Sequence, residues 1–239
     1  MNSTRRTATA TGALLIIATV AALAAAAIEP ALTGSGPLTG VAERPDRVAA
    51  SALLHLIAAG TSVGIAIALY PLLKKVNAAL ALGSVVFRTI EAVFYIVSVV
   101  SLLSILHLAT APVDNPAAIH EIADSLLSMR DQSTLAGAFA FCVGALLYYT
   151  LFYRSRLVPR WLSVWGLAGA LLFMSACLLA LFRDSPVTGY TFLILPIAVQ
   201  EIVFALWLLV KGFSPSPHTS GPSTESFTAD NGTVATVRT

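Results

Sequence analysis

One long apolar run of the chain contains the stretch Ser84-Val85-Val86-Phe87-Arg88-Thr89-Ile90-Glu91-Ala92-Val93-Phe94-Tyr95-Ile96-Val97-Ser98, with an arginine and a glutamate near its centre. A helix turns by about 100° per residue, so a narrow stripe of this stretch collects Ser84, Arg88, Glu91, Tyr95 and Ser98. A charge at bilayer depth costs at least ~2.5–3.5 kcal/mol on insertion scales. The stripe is therefore expected to face protein rather than lipid, and it predicts a structural or functional polar site inside a membrane helix.

The composition excludes a soluble globular protein. Of the 239 residues, 57% are hydrophobic and only 11% are charged, and the mean hydropathy is +0.83. Soluble domains carry roughly 25% charged residues. The net charge of +2 is too small to indicate a nucleic-acid partner, so the expected partner is the lipid bilayer.

Six apolar runs predict an all-α polytopic bundle of transmembrane helices, because about 20 apolar residues suffice to cross a bilayer. The predicted spans are about residues 12–28, 48–73, 77–106, 132–153, 161–182 and 191–210, within a bundle of residues 12–211. Residues 1–11 precede the bundle. Residues 212–239 are rich in Ser, Thr, Pro and Gly, and this composition predicts a disordered tail.

The first run has two interpretations. Arg5-Arg6, the apolar stretch and Ala24-Ala25-Ala26-Ala27 resemble a secretory signal peptide. The run is longer than the ~7–15 apolar residues of such a peptide, and more spans follow it, so we predict a retained first span.

The distribution of Lys and Arg predicts the orientation. One side of the predicted bundle carries nine of them and the other side carries four. The nine are Arg5, Arg6, Lys74, Lys75, Arg154, Arg156, Arg160, Lys211 and Arg238; the four are Arg44, Arg47, Arg130 and Arg183. Since cytoplasmic loops are rich in Lys and Arg, both termini are predicted to be cytoplasmic.

Residues 109–131 form the longest predicted internal loop. Asn115-Pro116 is typical of a helix start, and Ile119, Ile122, Leu126 and Met129 follow at helical spacing. This pattern predicts a short amphipathic helix on the membrane surface. His120 and Asp124 lie one turn apart but have no third ligand at a suitable spacing, so no metal site is expected.

Motifs of known chemistry are missing from the sequence. Cys142 and Cys177 lie in apolar runs without a C-x-x-C or Cys/His pattern, which favours a core role. No H-E-x-x-H, no Gly-x-Ser-x-Gly and no phosphate-binding Gly-rich loop occurs, so neither a catalytic residue nor a cofactor is predicted. Gly60-x-x-x-Gly64-x-x-x-Ala68 predicts a small-residue face for close helix packing.

Three charged residues are predicted to lie at similar depths in the membrane, which would let them meet. At 1.5 Å per residue, Arg88 lies about 16 Å and Glu91 about 21 Å from one surface, and Glu201 lies about 15 Å from the other. His55, about 10 Å below the outer end of its span, is expected at the level of Glu91. Gln200 and Tyr95 complete this predicted polar cluster.

Three interpretations of the cluster stay open. It can be a clasp that fixes how the second, third and sixth spans pack, with Arg88 paired to Glu91. It can be a proton or small-solute site, because Glu201 is then a surplus carboxylate beside a histidine within the membrane. A membrane-embedded enzyme is the third interpretation, although no motif supports it.

Three segments carry a resemblance to a known family. They are Phe87-Arg88-Thr89-Ile90-Glu91-Ala92-Val93, Leu151-Phe152-Tyr153-Arg154-Ser155-Arg156-Leu157-Val158-Pro159-Arg160-Trp161-Leu162-Ser163-Val164-Trp165-Gly166 and Leu195-Pro196-Ile197-Ala198-Val199-Gln200-Glu201. Over about Thr7 to Phe213 the chain resembles the bacterial membrane family called domain of unknown function 4386. The resemblance implies a multi-pass protein of the bacterial plasma (inner) membrane, and it implies neither an activity nor a catalytic residue.

Overall fold

The computed structural model describes residues 3–29, 37–110 and 116–214, in which short turns join a series of helices. The α-helices in this part of the chain are α1 (Ser3–Ile28), α2 (Pro37–Ala42), α3 (Pro45–Leu73), α4 (Ala78–Thr110), α5 (Pro116–Ser155), α6 (Arg160–Arg183) and α7 (Thr191–Val210). A 3-10 helix, Val187–Tyr190, leads into α7. The predicted tail from residue 215 onward lies outside the described residues, as does Asn115.

Six helices are long and apolar enough to cross a membrane, namely α1, α3, α4, α5, α6 and α7 with the preceding 3-10 turn. The predicted all-α bundle with six spans is confirmed. The helices extend beyond several of the predicted spans, and α1 begins at Ser3 rather than near residue 12. Hydropathy identifies only the apolar part of a helix. The backbone hydrogen bonds of the helix can continue beyond that part through polar residues such as Ser and Thr.

The six long helices form a closed ring. Each packs against the next one along the chain, and α7 packs back against α1. On α4 the outward face exposes Leu82, Val86 and Val93 while Arg88 and Glu91 are buried. The polar stripe of α4 therefore faces the interior of the ring, and its aliphatic face is suited to lipid.

The main difference from the sequence analysis lies in α5. The predicted surface helix and the predicted span at 132–153 form one helix of 40 residues, because neither Gly nor Pro occurs between Pro116 and Gly137 to end it. The first half does not lie alone on a membrane surface: Ala123 is buried, and Ile119 and Leu126 pack against a small core with α2, α3 and α4. That prediction was wrong because a stripe at helical spacing does not reveal what covers it.

Glycine allows a close contact between two helices of the bundle. A Cβ on Gly166 would lie 2.5 Å from the ring of Tyr149, so only glycine lets α6 approach α5 there. A Cβ on Gly64 would meet Leu14 of α1 at 3.4 Å, but one on Gly60 would meet nothing within 4 Å. The predicted small-residue face of α3 thus lies against α1 at Gly64, at an ordinary van der Waals distance, and meets nothing at Gly60.

The start of α1 and the end of α7 share one end of the bundle. Arg5 donates a hydrogen bond from Nη2 to the carbonyl oxygen of Leu209 at 2.8 Å. Just beyond α7, the amide of Ser214 donates to the carbonyl of Leu157 at 2.8 Å, so the α5–α6 turn lies at the same end. This is the end that the sequence marks with most of its Lys and Arg.

Candidate functional site

Arg88 and Glu91 form a buried ion pair on α4. They lie one turn apart, Arg88 Nη1 is 2.9 Å from Glu91 Oε2, and their side chains are 4% and 5% exposed. Ser62 of α3 donates a hydrogen bond to the same oxygen at 3.0 Å. This carboxylate is thus well paired, and it joins α3 to α4.

Glu201 of α7 is a second carboxylate near the same arginine, but its contacts are longer. Its Oε1 lies 3.8 Å from Arg88 Nη2 and accepts a hydrogen bond of 3.5 Å from the hydroxyl of Tyr148. Its side chain is 16% exposed. With both carboxylates ionised, Arg88, Glu91 and Glu201 carry one net negative charge.

The guanidinium of Arg88 lies against aromatic rings of α5. Its Cζ is 4.6 Å from the ring centre of Phe141 and 5.9 Å from that of Tyr148, which are distances for cation–π attraction. Gly144 of α5 lies beside the stem of Arg88, since a Cβ on it would be in van der Waals contact with Arg88 Cδ at 3.4 Å. Four helices, α3, α4, α5 and α7, therefore meet at this cluster.

A cavity of about 330 Å³ lies beside the cluster. All six long helices contribute to its wall, as shown by Thr19, His55, Tyr95, Phe141, Phe173 and Glu201. Arg88 and Glu91 also line it. Its volume falls in the range of small-molecule sites, and it combines apolar walls with a few polar groups, as such sites do.

The structure places His55 and Tyr95 on the wall of this cavity. The ring of His55 turns toward its own helix, with Nδ1 3.0 Å from the carbonyl oxygen of Ser51. His55 and Tyr95 thus share the cavity with the three charged residues, without a hydrogen bond to them among the described contacts.

Gln200 is separated from the cavity, although it neighbours Glu201. It is fully buried, accepts a hydrogen bond from the hydroxyl of Tyr149, and donates one from Nε2 to the carbonyl of Leu162 at 3.2 Å. Adjacent residues on a helix point about 100° apart, so a shared depth does not give a shared direction. Gln200 joins α7 to α5 and α6.

A second ion pair, which the sequence analysis missed, lies one helical turn from the cavity wall. Arg130 of α5 is 2.5 Å from Glu29 at the end of α1, and Ser51 of α3 donates to the other oxygen of Glu29 at 2.9 Å. His55 follows Ser51 by one helical turn, Thr134 follows Arg130 by one turn, and both His55 and Thr134 line the cavity. Because 101 residues separate the two partners, no spacing rule could pair them.

A larger cavity of about 680 Å³ lies between α5 and the end of α6. Its wall includes Asp131 and Asp184, and two neighbouring helices with the following turn supply its lining. It does not contain the buried cluster. Among the described residues, no group of three His, Cys, Asp or Glu is placed to hold a metal ion, and His120 and Asp124 are exposed.

Comparison with protein families matches residues 10–212 to the family described as Domain of unknown function (DUF4386). The chain belongs to this family. The match confirms the resemblance seen in residues 87–93, 151–166 and 195–201, all of which lie inside the matched range. No curated protein and no solved structure matches the chain. The description of the family supplies no activity, so a function must be argued from the site.

Proposed function

We propose that this membrane protein binds a small solute in the cavity inside its ring of helices and carries that solute across the bilayer. The observation that carries the proposal is the cavity itself, which all six long helices line and which has Glu201 in its wall. Arg88 lies ten residues from the start of α4, and Glu201 lies ten residues from the start of α7, which is about 15 Å along each helix. A binding site near the midplane, between helices that can move against one another, is typical of secondary transporters.

The contacts of the two carboxylates distinguish this proposal from a purely structural clasp. A clasp satisfies each charge and leaves no space, and Glu91 fits that description with contacts of 2.9 and 3.0 Å. Glu201 does not fit it, because its contacts are 3.8 and 3.5 Å and its side chain borders a cavity. An incompletely paired charge inside a membrane is costly, and it is the usual sign of a substrate or ion pathway.

The cluster also organises the bundle in this proposal. Ser62 of α3 donates to Glu91 of α4, and Arg88 of α4 lies 3.8 Å from Glu201 of α7, so polar contacts link three helices. Any movement that opens the cavity must therefore rearrange these contacts, which couples binding to conformation.

For orientation, we propose cytoplasmic termini in a bacterial plasma membrane. Support comes from the common end of α1 and α7 and from the basic residues there. Reporter fusions after Lys75 and Arg156 should report the cytoplasm, and fusions after Arg47 and Asp124 should report the outside. The opposite pattern would reverse the assignment.

Transport is tested with purified protein in liposomes and a panel of small cationic, anionic and neutral solutes. The wild type should take up at least one class, and Glu201→Gln should slow that uptake at least about tenfold, the equivalent of 1.4 kcal/mol. Glu43→Gln is the matched control, because it removes the same charge from an exposed position. A folded wild type that moves no solute of the panel would show that the proposal is wrong.

A further inference from the structure

We infer that the cavity takes a small organic cation, an ammonium group on an apolar body, and that Glu201 binds the ammonium. This inference rests on the proposed function and specifies its substrate class.

The charges of the wall favour a cation. The described lining contains two carboxylates, Glu91 and Glu201, and one arginine, Arg88. Glu91 holds Arg88 at 2.9 Å, so the charge of Arg88 is largely committed to that pair. The carboxylate of Glu201 is less tightly paired and partly exposed, so it is available to a ligand. An anion would meet two carboxylates and an arginine that is already paired.

The rest of the wall favours an organic cation over an inorganic one. The rings of Phe141 and Phe173 lie 5.6 Å apart on one part of the wall, and Ile194, Ile197 and Ala198 supply aliphatic surface. Hard divalent cations take about six or more oxygen ligands, and no group of three acidic, His or Cys residues in the described chain is placed to supply them. Aromatic faces attract ammonium groups, and apolar surface suits the body of an amine.

The size of the cavity limits the amine. A volume of about 330 Å³ is at the lower end of the range for small-molecule sites. A single aromatic ring with a short ammonium arm suits such a space. Benzylammonium is therefore the probe, and benzyl alcohol and benzoate are its neutral and anionic counterparts.

The test is thermal unfolding of the full-length protein in detergent with increasing concentrations of each probe. Benzylammonium should raise the unfolding temperature in a saturable manner, because a ligand that binds only the folded state stabilises it. Benzyl alcohol and benzoate should not. Glu201→Gln should weaken the apparent affinity for benzylammonium at least about tenfold, whereas the charge-matched control Glu43→Gln should leave it unchanged.

A second variant keeps the test decisive if Glu201→Gln fails to fold. Ala198→Phe leaves every charge in place and adds a ring to the cavity wall, so it should abolish stabilisation by benzylammonium. Equal stabilisation of wild type and Glu201→Gln by benzylammonium would overturn the inference. If benzoate or benzyl alcohol stabilises the protein instead, and Ala198→Phe removes that effect, the ligand is not an amine. The proposed solute site would then still hold. No stabilisation by any probe, with no uptake in liposomes, would overturn both.

Discussion

Two polar clusters in this protein have the same composition and differ in their surroundings. In each, one glutamate accepts from an arginine and from a serine of α3, and the two serines are 11 residues apart, about three turns, so they share a face of α3. The inner cluster is Glu91, Arg88 and Ser62; the end cluster is Glu29, Arg130 and Ser51.

The difference between the clusters lies in burial and in the cavity beside the inner one. The ion-paired side chains are 4% and 5% exposed in the inner cluster, and 18% and 11% exposed in the end cluster. The inner cluster also has a further carboxylate, Glu201, and a cavity beside it. The same three groups can thus serve as a structural contact near a helix end, whereas deeper in the bundle they border a candidate binding site.

The largest expected effect is that of Arg88→Met. It leaves Glu91 and Glu201 buried without their cation, and breaking a buried pair costs ~3–5 kcal/mol. Thermal unfolding in detergent should show a large loss of stability, with reduced folded yield on gel filtration.

A second substitution that recovers the stability lost in Arg88→Met identifies the stronger partner of Arg88. Adding Glu91→Leu to Arg88→Met should recover more stability than adding Glu201→Leu, because Glu91 is the partner at 2.9 Å and Glu201 lies at 3.8 Å. Equal rescue by both would mean that the inner cluster is a symmetric triad. An unchanged unfolding temperature for Arg88→Met alone would contradict the burial of the pair.

A smaller effect is expected from Arg130→Met in the end cluster. A partly exposed pair lies between the ~0.2–1 kcal/mol of surface pairs and the buried case, so a loss of about 1–3 kcal/mol is expected. The loss should shrink in 1 M salt, where the screening length falls to about 3 Å, while that of Arg88→Met should not. If the two variants depended equally on salt, the predicted difference in burial between the clusters would be contradicted.

The sequence predicts the inner cluster better than the end cluster for a physical reason. Arg88 and Glu91 lie on one helix at a spacing that brings side chains together, and hydropathy places both at depth. Glu201 follows from depth on another helix. Glu29 and Arg130 come from the ends of distant helices, and only the closure of the ring brings them together.

Direction and continuity are the parts of the fold that pattern does not fix. The depth of Gln200 matches that of Glu201, yet its amide points to α5 and α6. The polar residues Asp131 and Gln132 suggest a break between a surface helix and a span, but neither residue interrupts backbone hydrogen bonding, so α5 runs through them. The extent of a helix depends on breakers and tertiary contacts more than on hydropathy.

The smallest effects, and the closest comparison, come from the serines of α3. Ser62→Ala removes a hydrogen bond to a buried carboxylate, and such bonds contribute ~1.5–3 kcal/mol, offset in part by the helix propensity of alanine. A net loss of about 1–2 kcal/mol is expected, measured by thermal unfolding. Ser51→Ala should cost less, about 0.5–1 kcal/mol, because Glu29 is more exposed than Glu91 and keeps part of its hydration when the hydroxyl is lost.

The two serine variants are matched controls for each other, because they make the same change on the same face of one helix. Ser62→Ala should also alter solute uptake, since its hydroxyl holds the carboxylate that pairs most closely with Arg88. With that bond lost, Arg88 is freer to pair with Glu201 and to compete with a cationic ligand for it. Ser51→Ala should leave uptake intact. If both variants lose the same stability and neither changes uptake, burial does not separate the two clusters and the inner one is a fastening like the other.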